Sequence, residues 1–163
     1  MADKTAADLY PKYVNSSLRF LGFRPRSEKE VREFLIRKKA DQQMINRVIL
    51  QLKELKFLSD NEFAKWWVEQ RTRVKHKALR LIKIELKQKG IDIHIIEEAI
   101  NNIQSTSSNE LETAKKAIER RLQKYKGLSK QDVYQKLGPF LQRRGFDYDT
   151  IKRSIDELLE KGV

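Results

Sequence analysis

The side chains with the clearest chemical capacity in this sequence are lysines and arginines that recur at helical spacing. At 100° per residue, Lys77, Arg80, Lys83 and Lys87 fall within an arc of about 120°, and the leucines and isoleucine at positions 79, 82 and 86 lie opposite them. Ammonium and guanidinium groups aligned in this way bind phosphates and carboxylates through charge-assisted hydrogen bonds. The segment therefore predicts an anion-binding stripe on one face of a helix.

The stripe occurs a second time, 51 residues earlier, where Arg26, Lys29 and Arg32 hold the positions of the first three cations. In a third copy the equivalent positions hold no Lys or Arg, and the basic residues line the helix before it instead. Two copies stacked in one orientation would present both stripes on one face. We therefore predict an extended anion-binding surface for a nucleic acid or a nucleoprotein.

The predicted binding surface combines these stripes with neighbouring basic residues. Its members are Arg24, Arg26, Lys29, Arg32, Arg71, Arg73, Lys75, Lys77, Arg80, Lys83, Lys87, Lys116, Arg120, Lys124, Arg143 and Arg144. Reversing five of them to Glu is expected to abolish activity and to leave helicity and the melting temperature nearly unchanged. Those five are Arg26, Lys29, Lys77, Arg80 and Lys83.

The charge of the whole chain points to the same kind of partner. The 163 residues include 35 Lys and Arg against 23 Asp and Glu, a formal net charge of +12. The basic residues are concentrated in two blocks, 71–89 and 115–144, and the acidic block 91–112 separates them. A positive charge of this size, concentrated in two blocks, favours a polyanionic partner, with nucleic acid as the first candidate.

Several classes of function are disfavoured by what the sequence lacks. It has no cysteine, and its two histidines, His76 and His94, stand far apart, so we predict no metal site and no thiol chemistry. There is no glycine-rich phosphate loop and no nucleophile motif around a serine, so we predict no cofactor, no catalytic residue and no enzyme. No 18-residue apolar run and no secretory signal in 1–11 are present, which predicts a cytoplasmic protein without membrane contact.

The elements that must position the cations are helices. Apolar residues recur at spacings of three and four, and Gly and Pro are scarce, which predicts about nine helices and essentially no sheet. Five apolar positions recur in three copies around the anchors Leu35, Leu86 and Leu141. Relative to each anchor they lie at −4, 0, +10, +14 and +17, with an aspartate at +6. We predict an all-α fold of three tandem three-helix modules, 1–58, 59–104 and 105–163, forming an elongated helical-repeat molecule.

Capping residues mark the predicted helix ends. Ser27 with Glu30 forms a capping box, and further N-caps are predicted at Asp41, Asp60, Asp92, Ser129 and Asp147. Gly90 and Gly145 suit helix C-termini. Pro139 is expected to kink the middle helix of the third module or to delay its start, and 104–109 reads as a linker.

The aromatic residues of the second module favour packing over base stacking. Phe63, Trp67 and Val74 keep helical spacing, which predicts that all three lie in the core. Trp66 lies off that face and is the best aromatic candidate for a contact with a partner.

The order of several motifs resembles the RecX family, bacterial regulators of the RecA recombinase. The resemblance covers about residues 15–160 and rests on Arg24–Glu30, Leu55–Ala64, Arg71, Glu85–Ile91 and Leu141–Phe146. One departure is the run 75–78, Lys-His-Lys-Ala, which stands where relatives often carry Lys-Gly or Arg-Gly.

The resemblance implies three tandem modules in a curved, elongated molecule that binds in the groove of RecA filaments on single-stranded DNA. A monomer is predicted separately, because the faces of the repeats already bury one another. It implies blocked filament extension or promoted disassembly, with reduced ATP hydrolysis, strand exchange and LexA cleavage, and so a role in homologous recombination, DNA repair and the SOS response. Two alternatives stay open: a stand-alone, nonspecific DNA-binding protein, and an adaptor whose basic stripes meet only acidic protein. Sequence-specific readout is disfavoured because the last helix of each module carries acidic residues, such as Glu97 and Glu157.

Overall fold

A computed structural model describes residues 6–104 and 109–161, which form nine α-helices and no strand. The helices are α1 (Ala6–Gly22), α2 (Glu28–Arg37), α3 (Gln42–Glu54), α4 (Asp60–Glu69), α5 (Leu79–Gln88), α6 (Ile93–Gln104), α7 (Glu110–Leu122), α8 (Lys130–Arg143) and α9 (Tyr148–Glu160). A π-helical segment, Gln70–Val74, continues α4, and a 3₁₀ turn, Gln123–Tyr125, follows α7. The prediction of an all-α fold is confirmed.

Three separate hydrophobic cores divide these helices into groups of three. One core lies among α1–α3 and a second among α4–α6. The third lies among α7–α9 and also contains Ala78, which precedes α5. The anchors Leu35, Leu86 and Leu141 are fully buried, and the repeat of three-helix modules is confirmed. The module boundaries stay predictions, and most of the predicted linker, 105–108, lies outside the described residues.

Two of the repeated core positions are less buried than the repeat predicts. Ile100 and Ile103 in α6 are only partly buried and pack against the edge of the second core. One turn earlier on the same helix, Ile96 is fully buried. The centre of that core therefore lies toward the N-terminal half of α6.

Polar caps begin most helices as the sequence predicts. Ser27 and Glu30 form the capping box of α2, and Asp41, Ser129 and Asp147 accept hydrogen bonds from the first turns of α3, α8 and α9. The predicted cap at Asp60 is wrong by one residue, since the preceding serine caps α4. Ser59 is the N-cap because its backbone is extended, which places its hydroxyl where it accepts a hydrogen bond from the first turn of the helix.

The displaced aspartate caps a different helix. Asp60 Oδ1 accepts a hydrogen bond from the backbone N of Glu28, the first residue of α2, at 2.8 Å. The second module repeats the arrangement, because Glu110 Oε1 accepts from the backbone N of Leu79, the first residue of α5, at 2.8 Å. Ala78 has no side chain that could cap α5. The first helix of each following module thus caps the middle helix of the module before it.

Glycines allow a second repeated contact between modules. Gly90 after α5 has a φ of +78°, and a Cβ there would lie 2.9 Å from Cδ of Lys29 in α2. Gly145 after α8 has a φ of +91°, and a Cβ there would lie 2.7 Å from Cβ of Leu81 in α5. Both positions need positive φ and the absence of a side chain, so the end of each middle helix packs closely on the preceding one.

We expect Gly145→Ala to destabilise the contact between the second and third modules. The positive φ costs an alanine about 1 kcal/mol, and the collision with Leu81 adds roughly 1–3 kcal/mol. The control is Gly127→Ala, whose φ is +87° with no atom within 4 Å of the added Cβ, so it carries the backbone cost alone. Urea denaturation followed by circular dichroism measures the free energy of unfolding of both variants. Equal losses in the two variants would show that the close approach contributes nothing.

Two further expectations are settled by local geometry. Pro139 lies within α8, but the helix begins at Lys130 with its serine cap, so the proline does not delay its start. Val74 is wrongly predicted as core, since 58% of it is exposed. The π-helical segment explains this, because its i→i+5 hydrogen bonds widen the turn and shift every later residue around the axis.

None of the described helices combines the length and the apolar character that crossing a bilayer requires.

Candidate anion-binding surface

A cleft beside Trp67 lies between the first and second modules. The Trp67 cleft, as we call it, has a volume of about 210 Å³. It is lined by Arg24, Trp66, Trp67, Gln70, Arg71 and Lys75. The ring of Trp67 is buried, yet three cations surround it: Arg71 at 4.1 Å, Lys89 at 5.3 Å and Arg24 at 5.8 Å from its centroid. The indole face stabilises these charges through cation–π interactions and fixes them at the module junction.

Glu85 holds the second-module side of this junction together. Its Oε2 accepts hydrogen bonds from Trp67 Nε1 and from Arg71 Nε, each at 3.0 Å. Its other carboxylate oxygen accepts from Lys77 Nζ. A single carboxylate thereby orients one indole and two cations, one of which lines the cleft.

Glu30 plays the same part for the first module. Its Oε1 pairs with Arg24 Nη2 and with Lys89 Nζ, both at 2.8 Å, and Arg26 lies 3.8 Å away. Burial would raise the pKa of Glu30, but the hydrogen bonds from Arg24 and Lys89 outweigh it and hold that pKa below its ordinary value. Five cations thus face two carboxylates at this junction, which leaves an excess of three positive charges.

A second, larger cleft lies between the second and third modules. The Phe140 cleft has a volume of about 590 Å³. It is lined by His76, Lys116, Ala117, Glu119, Arg120, Arg121, Phe140 and Arg144. Four of these residues are cations and one is an acid. The ring of Phe140 carries two guanidinium groups, Arg121 at 4.2 Å and Arg144 at 4.5 Å from its centroid.

The two clefts are joined by the chain between the π-helical segment and α5. The side chain of Lys75 lines the Trp67 cleft, and its backbone carbonyl accepts a hydrogen bond from Arg144 Nη1 at the Phe140 cleft. The next residue, His76, lines the Phe140 cleft. The backbone N of Ala78 donates to the carbonyl of Arg144 at 2.9 Å, which fixes α8 against this segment. Cationic groups therefore continue from the first module across the second to the third.

The sixteen predicted binding residues divide into two equal groups by their partners. Eight form salt bridges within the protein: Arg24, Arg26, Lys29, Arg32, Arg71, Arg73, Lys77 and Lys83. Eight form none with any carboxylate of the described residues: Lys75, Arg80, Lys87, Lys116, Arg120, Lys124, Arg143 and Arg144. Ion-paired cations are partly neutralised, so the second group offers the stronger attraction to an external anion.

The stripe positions illustrate the difference. Lys29 Nζ donates to the carbonyl of Gln88 at 3.0 Å and so joins the first two modules. Lys83 lies 3.4 Å from Glu97 of α6. Arg80, between the two stripe neighbours Lys77 and Lys83, forms no salt bridge with a described residue and is exposed. Several stripe cations therefore hold the modules together as well as adding positive charge to the surface.

Sequence reasoning did not identify His76, Arg121 and Phe140 as members of one site. Phe140 of α8 and Arg144, the C-cap residue of that helix, are four residues apart, a spacing that predicts contact on a helix. Arg121 reaches the same ring from α7, which only the tertiary structure shows. Trp67 is core as predicted, but its role as a platform for cations has no signature in the sequence.

Among residues 6–104 and 109–161, no three His, Asp or Glu side chains converge in a way that could hold a metal ion.

Comparison with known protein families identifies matches to all three modules. The model for the first three-helix domain of RecX matches residues 14–52. The models for the second and third RecX domains match residues 59–100 and 108–155.

Individual relatives carry the name Regulatory protein RecX. The protein from Bacillus velezensis is 34% identical over 146 residues, which cover 90% of this chain and 55% of the relative. The Bacillus subtilis protein is 34% identical over 151 residues, covering 93% and 56%. The chain thus spans about half the length of these two relatives. The protein from Prosthecochloris aestuarii is 34% identical over 150 residues, covering 91% of this chain and 94% of the relative.

Two solved structures share the architecture. The crystal structure of RecX from Lactobacillus salivarius is 30% identical, with a TM-score of 0.73 over 93% of this chain and 97% of the other. A second crystal structure, of a regulatory protein RecX, has a TM-score of 0.74 over 92% of this chain and 74% of the other. At 21% identity the second structure supports the fold alone.

Proposed function

The chain belongs to the RecX family, and from that premise we propose that it regulates RecA by binding the RecA filament on single-stranded DNA. The observation that carries the proposal is the cationic surface that continues from the Trp67 cleft to the Phe140 cleft. A filament offers the same acidic groups and phosphates at regular intervals. Three linked modules can therefore engage several sites at once, and the effective concentration of each later contact raises the overall affinity.

The proposed mechanism is binding without catalysis. The protein acts as a monomer in the cytoplasm, seated in the groove of the filament, where it blocks extension or promotes disassembly. ATP hydrolysis, strand exchange and coprotease activity fall because fewer RecA subunits remain assembled. In this proposal the protein needs neither a cofactor nor a metal, since its positive charge alone recognises the filament.

The experiment is DNA-dependent ATP hydrolysis by RecA on single-stranded DNA, with this protein added at substoichiometric amounts to preformed filaments. We expect a time-dependent fall in the hydrolysis rate, because one bound molecule affects many subunits when it acts on filament growth. An unchanged rate at stoichiometric amounts would refute the proposal.

A stand-alone, nonspecific DNA-binding protein is the second candidate. The unpaired cations of the Phe140 cleft favour it, since they need no RecA to attract phosphates. Its signature is binding to naked single-stranded or duplex DNA whose affinity falls steeply with salt, together with an unchanged rate of RecA hydrolysis. An adaptor that meets only acidic protein would bind neither form of DNA.

A further inference from the structure

The Phe140 cleft holds more positive charge than the protein itself neutralises. Lys116, Arg120, Arg121 and Arg144 line it with one acid, Glu119. None of the four cations forms a salt bridge with a described carboxylate, in contrast to the Trp67 cleft, where Glu30 and Glu85 pair with most of the cations. Like charges held this close repel one another, and an anion in the cleft would relieve that repulsion.

The ring of Phe140 fixes two of the cations in place. Arg121 from α7 and Arg144, the C-cap residue of α8, both lie over it, at 4.2 and 4.5 Å from its centroid. Burial, and then the positive charge of Arg121, hold the pKa of Arg144 below its ordinary value. A guanidinium that stacks on a ring keeps the N–H groups along its edge for a planar or tetrahedral oxyanion. Two such groups at one ring form a site that is ordered before the ligand arrives.

His76 has the features of a binding residue rather than of a loop residue. Its φ is +47°, in the left-handed region that residues other than glycine adopt infrequently. Its Nδ1 is buried and has no hydrogen-bond partner among the described residues. A buried imidazole nitrogen without a hydrogen-bond partner, in a cationic cleft, is the kind of feature that ligand binding explains.

We infer that the Phe140 cleft is a phosphate-binding site in which Arg120, Arg121 and Arg144 hold the anion and a protonated His76 donates to it. The inference rests on the proposed function for one point only, the choice of a DNA backbone as the source of the phosphate. The site itself is argued from the geometry of the isolated chain, so it can be tested without RecA.

Binding at this site takes up a proton. Burial comes first among the causes that hold the pKa of His76 below its ordinary value, and the charges of Arg144 and Lys116 add to it, while the backbone of Thr72 acts in the opposite direction. Arg120 and Arg121 of α7 also line the cleft and favour neutral imidazole, and Glu119 opposes them. A bound phosphate favours the imidazolium, so phosphate must raise the pKa of His76. By linkage, affinity must rise as pH falls through that pKa.

The test is a pH titration of the two imidazoles by NMR, with the chain alone, with inorganic pyrophosphate and with a short oligo-dT strand. The only histidines are His76 and His94, and loss of one signal in His94→Gln assigns both. We expect both ligands to raise the pKa of His76 by about one unit and to leave that of His94 nearly unchanged. An equal shift of both histidines, or none in either, would overturn the inference.

A pair of matched variants separates the site from general charge. Arg120→Gln with Arg121→Gln removes two cations from the cleft and is expected to abolish the shift and to weaken pyrophosphate binding at least about tenfold. The control, Arg19→Gln with Arg37→Gln, removes the same charge from exposed positions that do not line the cleft and should keep the shift. Persistence of the shift in the first variant would overturn the site.

The two ligands distinguish the source of the phosphate. A shift with pyrophosphate and oligo-dT supports a DNA backbone. A shift with pyrophosphate alone overturns that assignment in favour of a small phosphorylated molecule. If the His76 shift is present and RecA hydrolysis is unaffected, the phosphate site stands and the proposed regulation of RecA fails.

Discussion

Reversing three unpaired cations of the joined clefts to Glu should abolish inhibition of RecA and leave the melting temperature within a few degrees of the parent. The variant is Lys75→Glu, Lys116→Glu and Arg120→Glu. All three side chains are exposed and form no salt bridge with a described residue, so folding loses no ion pair. Each reversal removes attraction to an anion and adds repulsion, which for several phosphate contacts amounts to a loss of at least about a hundredfold in affinity.

The matched control carries the same change in charge outside both clefts. Lys12→Glu, Arg19→Glu and Arg37→Glu alter exposed residues of α1 and α2 that also lack salt bridges with described residues. The control should inhibit RecA hydrolysis nearly as well as the parent. The same assay on all three proteins decides the matter. Equal loss in the control would mean that net charge, and not the clefts, determines binding.

The paired cations make a poorer test of function, and the structure explains why. Lys77→Glu would place a carboxylate beside Oε1 of Glu85, which accepts from Lys77, while Oε2 still holds Arg71 and the indole of Trp67. Arg26→Glu would do the same beside Glu30. Such variants lose activity through damage to the module junction, so the five-residue reversal that the stripes suggest would confuse folding with binding.

The sequence predicted those features that depend on local order. Periodicity placed Leu35, Leu86 and Leu141 in three equivalent cores, and Ser27 with Glu30 defined a cap, because apolar spacing and capping act within one or two turns. The family resemblance rested on the same kind of short motif, and it is confirmed.

The features that depend on contacts between distant residues were not predictable in this way. The π-helical segment turns Val74 outward, and no residue type in it signals the wider turn. The stripes show which side chains are basic, but not that Glu30 and Glu85 pair with several of them. Phe140 meets Arg121 only when α7 packs beside α8. The basic residues of the site can be identified in the sequence, but which of them form ion pairs with carboxylates depends on the fold.

Ile96→Asp should unfold the second module and is the largest loss of stability we expect from one substitution. The side chain of Ile96 is fully buried and lies in the second core with Phe63, Leu86 and their neighbours. Loss of the isoleucine side chain costs roughly 2–5 kcal/mol, and a carboxylate without a partner adds several more, which exceeds the stability of most small modules.

The fluorescence of tryptophan makes this prediction specific to one module. Both tryptophans of the chain, Trp66 and Trp67, lie in α4, so their emission reports the second module alone, whereas circular dichroism reports all the helices. Ile100→Asp is the matched control, because it places the same charge one turn later on α6 at a position that is only partly buried. We expect a smaller loss there, and equal losses would mean that the core extends farther along α6 than its burial indicates.

The two signals together show how far the modules depend on one another. If stability is a sum over modules and their junctions, Ile96→Asp removes the tryptophan transition and leaves a helical transition from the first and third modules. If the junctions at Gly90 and Gly145 couple the modules strongly, both signals are lost together. We expect the first module to keep its helical transition, because its core contains none of the described residues of the second module. We expect a weakened third module, because its core includes Ala78 from the segment before α5. Intact tryptophan emission in Ile96→Asp would contradict the burial of this residue.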